Sequence, residues 1–158
     1  LAKKFGCQVK IKTGIQGEAR VMAKKLCAGV FGCSIRKSTL FIFGGETTVT
    51  LPKVHGQGGR NQEFIVACLN YLKNKKISGN WCILSLATDG IDYHLGSAGG
   101  MIDNHTLETI KDNKIDLVKT LENHSSYDLL NKLGANLKIC RPTGTNVCDL
   151  ILFYREPV

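Results

Sequence analysis

Two stretches of this 158-residue chain, T-L-F-I-F at 39–43 and W-C-I-L-S-L-A at 81–87, are apolar at nearly every consecutive position. A strand with one wet face alternates apolar and polar residues. An unbroken apolar run belongs to a strand covered on both faces. Around these runs the period changes. Met22, Ala23, Leu26, Cys27, Val30 and Phe31 recur at three- and four-residue spacing, which predicts a helix over 18–31. A second, apolar helix is predicted over 64–72, ended by Lys73-Asn74-Lys75-Lys76 at the negative pole of its dipole. Residues 7–11 read as a short strand broken by Gly14 and Gly17. Gly44-Gly45-Glu46 is expected to turn the chain into a neighbouring strand at 47–51. Residues 104–133 read as two or three short polar helices. Residues 147–154 close the chain as a strand, or as a helix plus a strand. Strands alternating with helices give an α/β class: a mixed, largely parallel sheet with flanking helices and Gly-rich loops at strand ends.

Length and composition narrow the function classes. The chain is long enough for one domain, or one domain and a piece of another. With 43% hydrophobic and 22% charged residues it is globular. No apolar run approaches the roughly 20 residues of a membrane helix. No basic-then-apolar leader follows Leu1. The seven cysteines are odd in number and show no C-x-x-C spacing. Together these features predict no membrane partner, a reducing compartment and a cytoplasmic location. The net charge of +8 is uneven: residues 1–40 hold nine Lys and Arg against one acid, while 41–158 hold twelve of each. No aromatic residues interleave with the basic ones, so a solvated surface is expected and no nucleic-acid partner.

Three polar loops follow apolar elements, where open α/β sheets gather their ligands. In Gly56-Gln57-Gly58-Gly59-Arg60-Asn61-Gln62-Glu63, glycines let backbone amides approach an anion, and Arg60 offers a bidentate fork. An arginine at a helix start opposes the dipole, which predicts an anion beside it. The bland alternative is a tight loop with Asn61 as a cap. In Thr88-Asp89-Gly90-Ile91-Asp92, two carboxylates three apart either hold Mg²⁺ or accept a hydroxyl proton, or else close an Asx turn. In Pro142-Thr143-Gly144-Thr145-Asn146, hydroxyls and an amide can meet phosphate or carboxylate oxygens, or form an ST turn. No Walker A loop, nucleophile elbow or metal-spaced histidine set occurs.

In order, F-G-G-E-T-T-V (43–49), G-Q-G-G-R-N-Q-E (56–63), A-T-D-G-I-D (87–92), A-G-G-M-I-D (98–103), S-S-Y-D-L-L (125–130) and P-T-G-T-N-V-C-D-L (142–150) resemble the MOFRL domain. That domain is the C-terminal part of class II glycerate kinases, a family that also carries the name hydroxypyruvate reductase. The resemblance covers roughly residues 40–154. It implies a MOFRL domain over 40–158, with residues 1–39 as the last strand–helix unit of an N-terminal kinase domain. It implies ATP- and Mg²⁺-dependent phosphorylation of D-glycerate in a cleft shared with that missing domain, which supplies a lysine and much of the nucleotide site. The isolated fragment is then expected to be inactive. By the same resemblance Arg60, Asp89 and Asp92 are catalytic, and Asp89 is a metal ligand. Gly58, Gly59, Asn61, Glu63, Thr145 and Asn146 bind substrate. A homodimer is an assembly left open by the sequence. Tyr93-His94 and Arg141 stand where the family favours small residues, and His124 where it has an acid or amide. The alternatives are a non-catalytic module that keeps the fold, or a reductase, for which the chain lacks a G-x-G-x-x-G after a strand.

Overall fold

The computed structural model describes residues 2–93, 96–139 and 143–157; His94, Arg141 and Pro142, singled out above, lie outside the described residues. After a 3₁₀ turn at Ala2–Phe5 come β1 (Gln8–Glu18), α1 (Ala19–Gly32), β2 (Thr39–Thr48) and α2 (Arg60–Leu72). Then follow β3 (Trp81–Ala87), β4 (Gly99–Asp103), α3 (Asn104–Asp112), α4 (Leu117–Glu122), α5 (Ser126–Lys132), β5 (Asn136–Leu137) and β6 (Asp149–Arg155).

The strands form one six-stranded sheet in the order β1-β2-β6-β3-β4-β5. Only β1–β2 is a parallel pair; the other four pairs are antiparallel. The class is mixed α/β as expected, but the largely parallel sheet is corrected. β1, β2 and β3 do run the same way, each joined to the next through a helix. The last strand, β6, inserts between β2 and β3 in the opposite direction. An apolar run reports burial, not direction, so the sequence could not reveal this.

The turn expected at Gly44-Gly45 is also corrected: β2 runs straight through it. A Cβ on Gly45 would lie 2.1 Å from the Ile15 carbonyl oxygen, and Gly45 has φ +156°. Its neighbour β1 shifts register between Lys12 and Ile15. The glycine admits the neighbouring backbone at that irregularity rather than reversing the chain. β1 likewise continues through Gly14 and Gly17 to Glu18. The sequence boundary at residues 39 and 40 falls inside this β1-α1-β2 unit, at the first residue of β2.

Helices α1 and α2 pack against the sheet and against each other, and one core results. Phe153 of β6 is its centre, meeting the rings of Phe31, Phe43 and Phe64 edge-on at 6.3, 5.8 and 6.5 Å. At the end of β6, Arg155 donates to the carbonyls of Val30 and Cys33 and lies over the Phe31 ring, closing the C-terminal end of α1. The 104–133 region forms three short helices. Asp103 and Asp116 cap α3 and α4 by accepting from Thr106 N–H and Lys119 N–H. Among the described residues no helix is long and apolar enough to cross a membrane.

Candidate functional site

The Gly-rich loop ahead of α2 is built for contact. A Cβ on Gly56 would lie 2.8 Å from the Asn123 carbonyl oxygen, one on Gly58 2.1 Å from Ser126 Oγ, and one on Gly59 2.4 Å from Asp92 Oδ2. None of the three has positive φ, so space rather than backbone freedom demands glycine. Gly56 N–H donates to Asn123 O at 2.7 Å, and Tyr127 N–H to Gln57 O at 2.9 Å. The loop is thereby stitched to the junction between α4 and α5.

Helix α2 begins at Arg60, four residues before the predicted start, because Asp92 caps it. Asp92 Oδ1 accepts from the Asn61 N–H and Asn61 Nδ2, each at 3.0 Å, and Oδ2 from the Gln62 N–H at 2.9 Å. One carboxylate from a distant loop thus takes two of the orphan amides at the positive end of the helix. Burial pushes the Asp92 carboxyl above the ordinary carboxylate range, against these hydrogen bonds and the charge of Arg60. Asn61 Oδ1 also accepts from Ser85 Oγ, and Gln62 bridges Gly59 N–H, Ser97 Oγ and Asn136 Oδ1. Both amide side chains are buried and tie α2 to β3, β5 and the loop ahead of β4.

Arg60 meets the anion its position predicted, and that anion is internal. Nε and Nη2 donate to Asp149 Oδ2 and Oδ1 at 2.7 and 2.8 Å. Nη2 also lies 3.2 Å from Glu46 Oε1. The Asp149 side chain is 1% exposed, Arg60 28% and Glu46 54%. Hydrogen bonding to Asp149 holds the guanidinium protonated even more firmly than usual. Arg60, Glu46, Asp92, Gly58, Gly59 and Tyr93 line an open cleft of about 420 Å³ at the end of β2.

The other predicted residues are placed differently. Asp89 Oδ1 accepts from Ile91 N–H at 2.9 Å, which is the Asx turn, and among the described residues Oδ2 has a single long contact of 3.5 Å to Asn146 Nδ2. The loop of 143–148 is knitted to this turn. Thr143 Oγ1 donates to Thr88 O, and Thr88 Oγ1 donates to Cys148 O and accepts from Val147 N–H. Thr145 and Asn146 are exposed on it. Glu63 is buried on the far side of α2, between Arg20 Nε at 2.7 Å and His124 Nδ1 at 2.9 Å. The structure therefore gathers Arg60, Asp92, Gly58 and Gly59 at the cleft and Asp89 with Asn146 beside Thr145. Asn61 and Glu63 face packed interiors. Asp89 and Asp92 share no partner, and among the described residues no three His, Cys, Asp or Glu side chains are grouped to hold a metal.

The model of the MOFRL family matches residues 39–149, most of the chain and every loop just described. This chain belongs to the MOFRL family. It is 40% identical over 164 aligned positions to the D-glycerate 2-kinase of Thermotoga maritima, covering 96% of this chain and 37% of that protein. The crystal structure of glycerate kinase from T. maritima superposes with a TM-score of 0.84 at 35% identity, over 98% of this chain and 37% of that one. A protein from Pyrococcus horikoshii OT3 superposes with a TM-score of 0.87 at 31% identity, over 99% and 36%. The chain thus spans little more than a third of the length of these relatives.

Two residues escaped the sequence reading: Glu46, which lines the cleft of this MOFRL chain, and Asp149, which holds Arg60. Asp149 carried a usable signal, an acid heading an otherwise apolar run, D-L-I-L-F-Y. A charge at the buried end of a strand requires a partner. Glu46 was absorbed into a turn that does not exist.

Proposed function

We propose that the chain is the C-terminal part of a glycerate kinase. The enzyme transfers a phosphoryl group from ATP to a hydroxyl of D-glycerate with Mg²⁺, in a cleft completed by an N-terminal domain. The observation that carries this reading is the charge of the cleft. Three carboxylates (Glu46, Asp92 and Asp149) surround one guanidinium, Arg60, at an opening of about 420 Å³. A net-negative cleft does not hold a polyphosphate by itself. It needs cations from outside the chain, and phosphoryl transfer relies on such positioning and neutralisation rather than covalent chemistry. The names of the T. maritima relatives support the reaction class, and their greater length supports the second half of the site.

Arg60 is locked in direction by Asp149 through Nε and Nη2, with Glu46 also beside Nη2, so its Nη1 side is the cation this chain presents to a carboxylate or phosphoryl oxygen. Glu46, the most exposed carboxylate of the cleft, is placed to accept a substrate hydroxyl proton. Asp89 fits Mg²⁺. Among the described residues its Oδ2 has only the long Asn146 contact, and Mg²⁺ takes one or two carboxylates while keeping waters and phosphate oxygens. Bound there, the ion would neutralise charge on the transferring phosphate. Thr145 and Asn146 border that side, Gly58 and Gly59 leave room for substrate, and Asp92, Asn61 and Glu63 keep α2 and Arg60 in place. The free cysteines of the described residues suit a cytoplasmic enzyme.

The test is ATP-dependent phosphorylation of D-glycerate, measured for this chain and for the longest polypeptide its gene encodes. Turnover by the longer polypeptide alone is expected. Robust turnover by the isolated chain would refute the shared cleft. None by either would leave a non-catalytic module.

A further inference from the structure

Strands β2, β3 and β6 are apolar on both faces, yet helices cover only one. The register aligns Ile11, Ile42, Leu152, Leu84 and Met101 in a row across β1, β2, β6, β3 and β4. The neighbouring rows add Leu40 beside Tyr154, and Leu150 beside Leu86. None of these side chains is charged. Their strand neighbours, Phe41, Phe43, Ile83, Ile151 and Phe153, point the other way and are buried in the core. The row itself lies outside that core: Ile11 is 69% exposed, Met101 44%, and the others are half-buried. Helices α1, α2 and α3, which touch the sheet, all contribute to the opposite, filled side.

A sheet face that meets water is normally polar, and strands with Leu and Ile on both faces lie between two helical layers. The five positions of the central row and the two of each neighbouring row, about 4.8 Å apart across strands and about 6.7 Å between rows, make a patch of roughly 300 Å², within the range of the largest apolar patches of monomers, which are often functional. Two copies joined through it would bury roughly 600 Å² in all, well below the roughly 1,200–2,000 Å² of a stable interface. Each copy would also bring a net charge of +8. An intramolecular layer has no such association cost. The T. maritima relative has nearly two thirds of its length outside the aligned region, which is ample for it.

We propose that this uncovered sheet face is the seat of a layer of amphipathic helices supplied by the polypeptide that precedes this chain, completing an α/β/α sandwich. The proposal rests on the reading of the chain as the C-terminal part of a larger enzyme, but concerns the sheet face opposite the one that carries Asp149. The layer is recognised by apolar shape alone, with no ion pair across it.

The experiment is hydroxyl-radical labelling of wild-type protein, comparing Met101 in the isolated chain and in the longest polypeptide its gene encodes. Met101 labelling is expected to fall severalfold in the longer polypeptide. Leu84→Gln and Leu152→Gln give a second readout. Each should lower the thermal midpoint of the longer polypeptide by about 4 °C or more and shift that of the isolated chain by about 1 °C or less. Equal labelling in both polypeptides overturns the proposal, as does a gene that encodes no preceding segment. So does an isolated chain that sediments as a dimer and is made monomeric by Leu84→Gln, which assigns the face to a second copy. Phosphorylation of D-glycerate by the same preparations separates the two readings. An active enzyme with fully labelled Met101 sinks only the docking surface, and an inactive one with protected Met101 sinks only the kinase.

Discussion

Arg60, the first residue of α2, and Asp149, the first residue of β6, meet through two parallel hydrogen bonds of 2.7 and 2.8 Å, 89 residues apart in the chain. This fork fixes the direction of the one cation that the described residues contribute to the cleft lining and supplies the anion that a helix-initial arginine requires. It also anchors the inserted strand β6 to the helix whose start borders the cleft.

Asp149→Asn keeps the shape of the acceptor and removes its charge. Asp149 is buried but Arg60 is 28% exposed, so water replaces part of what is lost. A loss of about 1–2 kcal/mol and a thermal midpoint lower by about 4 °C are expected. In the complete enzyme, kcat/KM for D-glycerate should fall as well, because the guanidinium is no longer aimed. Calorimetry and steady-state kinetics check the two effects separately. An unchanged midpoint would mean that the pair contributes nothing to stability.

Gly59→Ala tests whether the loop glycines serve packing. The added Cβ would sit 2.4 Å from Asp92, so about 1–3 kcal/mol of stability should be lost although the backbone at Gly59 suits any residue. Gly29→Ala is the control. It lies within α1 with nothing within 4 Å of its Cβ and should stabilise by about 0.5–1 kcal/mol. Urea titrations of both variants give the comparison, and equal effects would disprove the steric account.

Asp92 should impose a pH dependence of definite sign. Burial makes the folded protein hold this proton to higher pH than the unfolded chain, whose aspartates titrate near about 3.9. Between the two values the folded state binds more protons. The Asp92 contribution to stability therefore falls as pH rises above about 4, and levels off once the group is ionised in both states. The carboxyl carbon resonance should titrate above the ordinary aspartate range, and Asp92→Asn should abolish this part of the stability profile. A resonance titrating below that range would reverse the sign.

Asp89→Asn retains the oxygen that accepts from Ile91 N–H, so the turn should survive with a midpoint within about 1–2 °C of wild type. If Oδ2 carries Mg²⁺, activity of the complete enzyme should nonetheless drop by orders of magnitude. Wild-type turnover with an unaltered Mg²⁺ requirement would confine Asp89 to the turn.

Much of this architecture was legible in the residues. The period of Met22, Ala23, Leu26, Cys27, Val30 and Phe31 located α1 to within a residue at each end, because an amphipathic helix writes its buried face into its own spacing. The apolar runs at 39–43 and 81–87 located β2 and β3, and the glycines of 56–59 marked a special loop. Their packing role was not legible: glycine permits close approach to an anion and close approach to another chain segment equally, and the pattern does not name Asn123, Ser126 and Asp92 as neighbours.

The sequence by itself determined which segments are buried, where α1, α2, β2 and β3 lie, and which loops concentrate polar chemistry, because these follow from periods of a few residues. Only the tertiary structure decided which groups meet. Asp92 caps α2 instead of pairing with Asp89, Glu63 turns inward to Arg20 and His124, and Asp149 claims Arg60. Each of these contacts joins residues 31 to 89 positions apart. Their partners, like the direction of β6, are set by how apolar faces stack, and a local pattern carries no record of that.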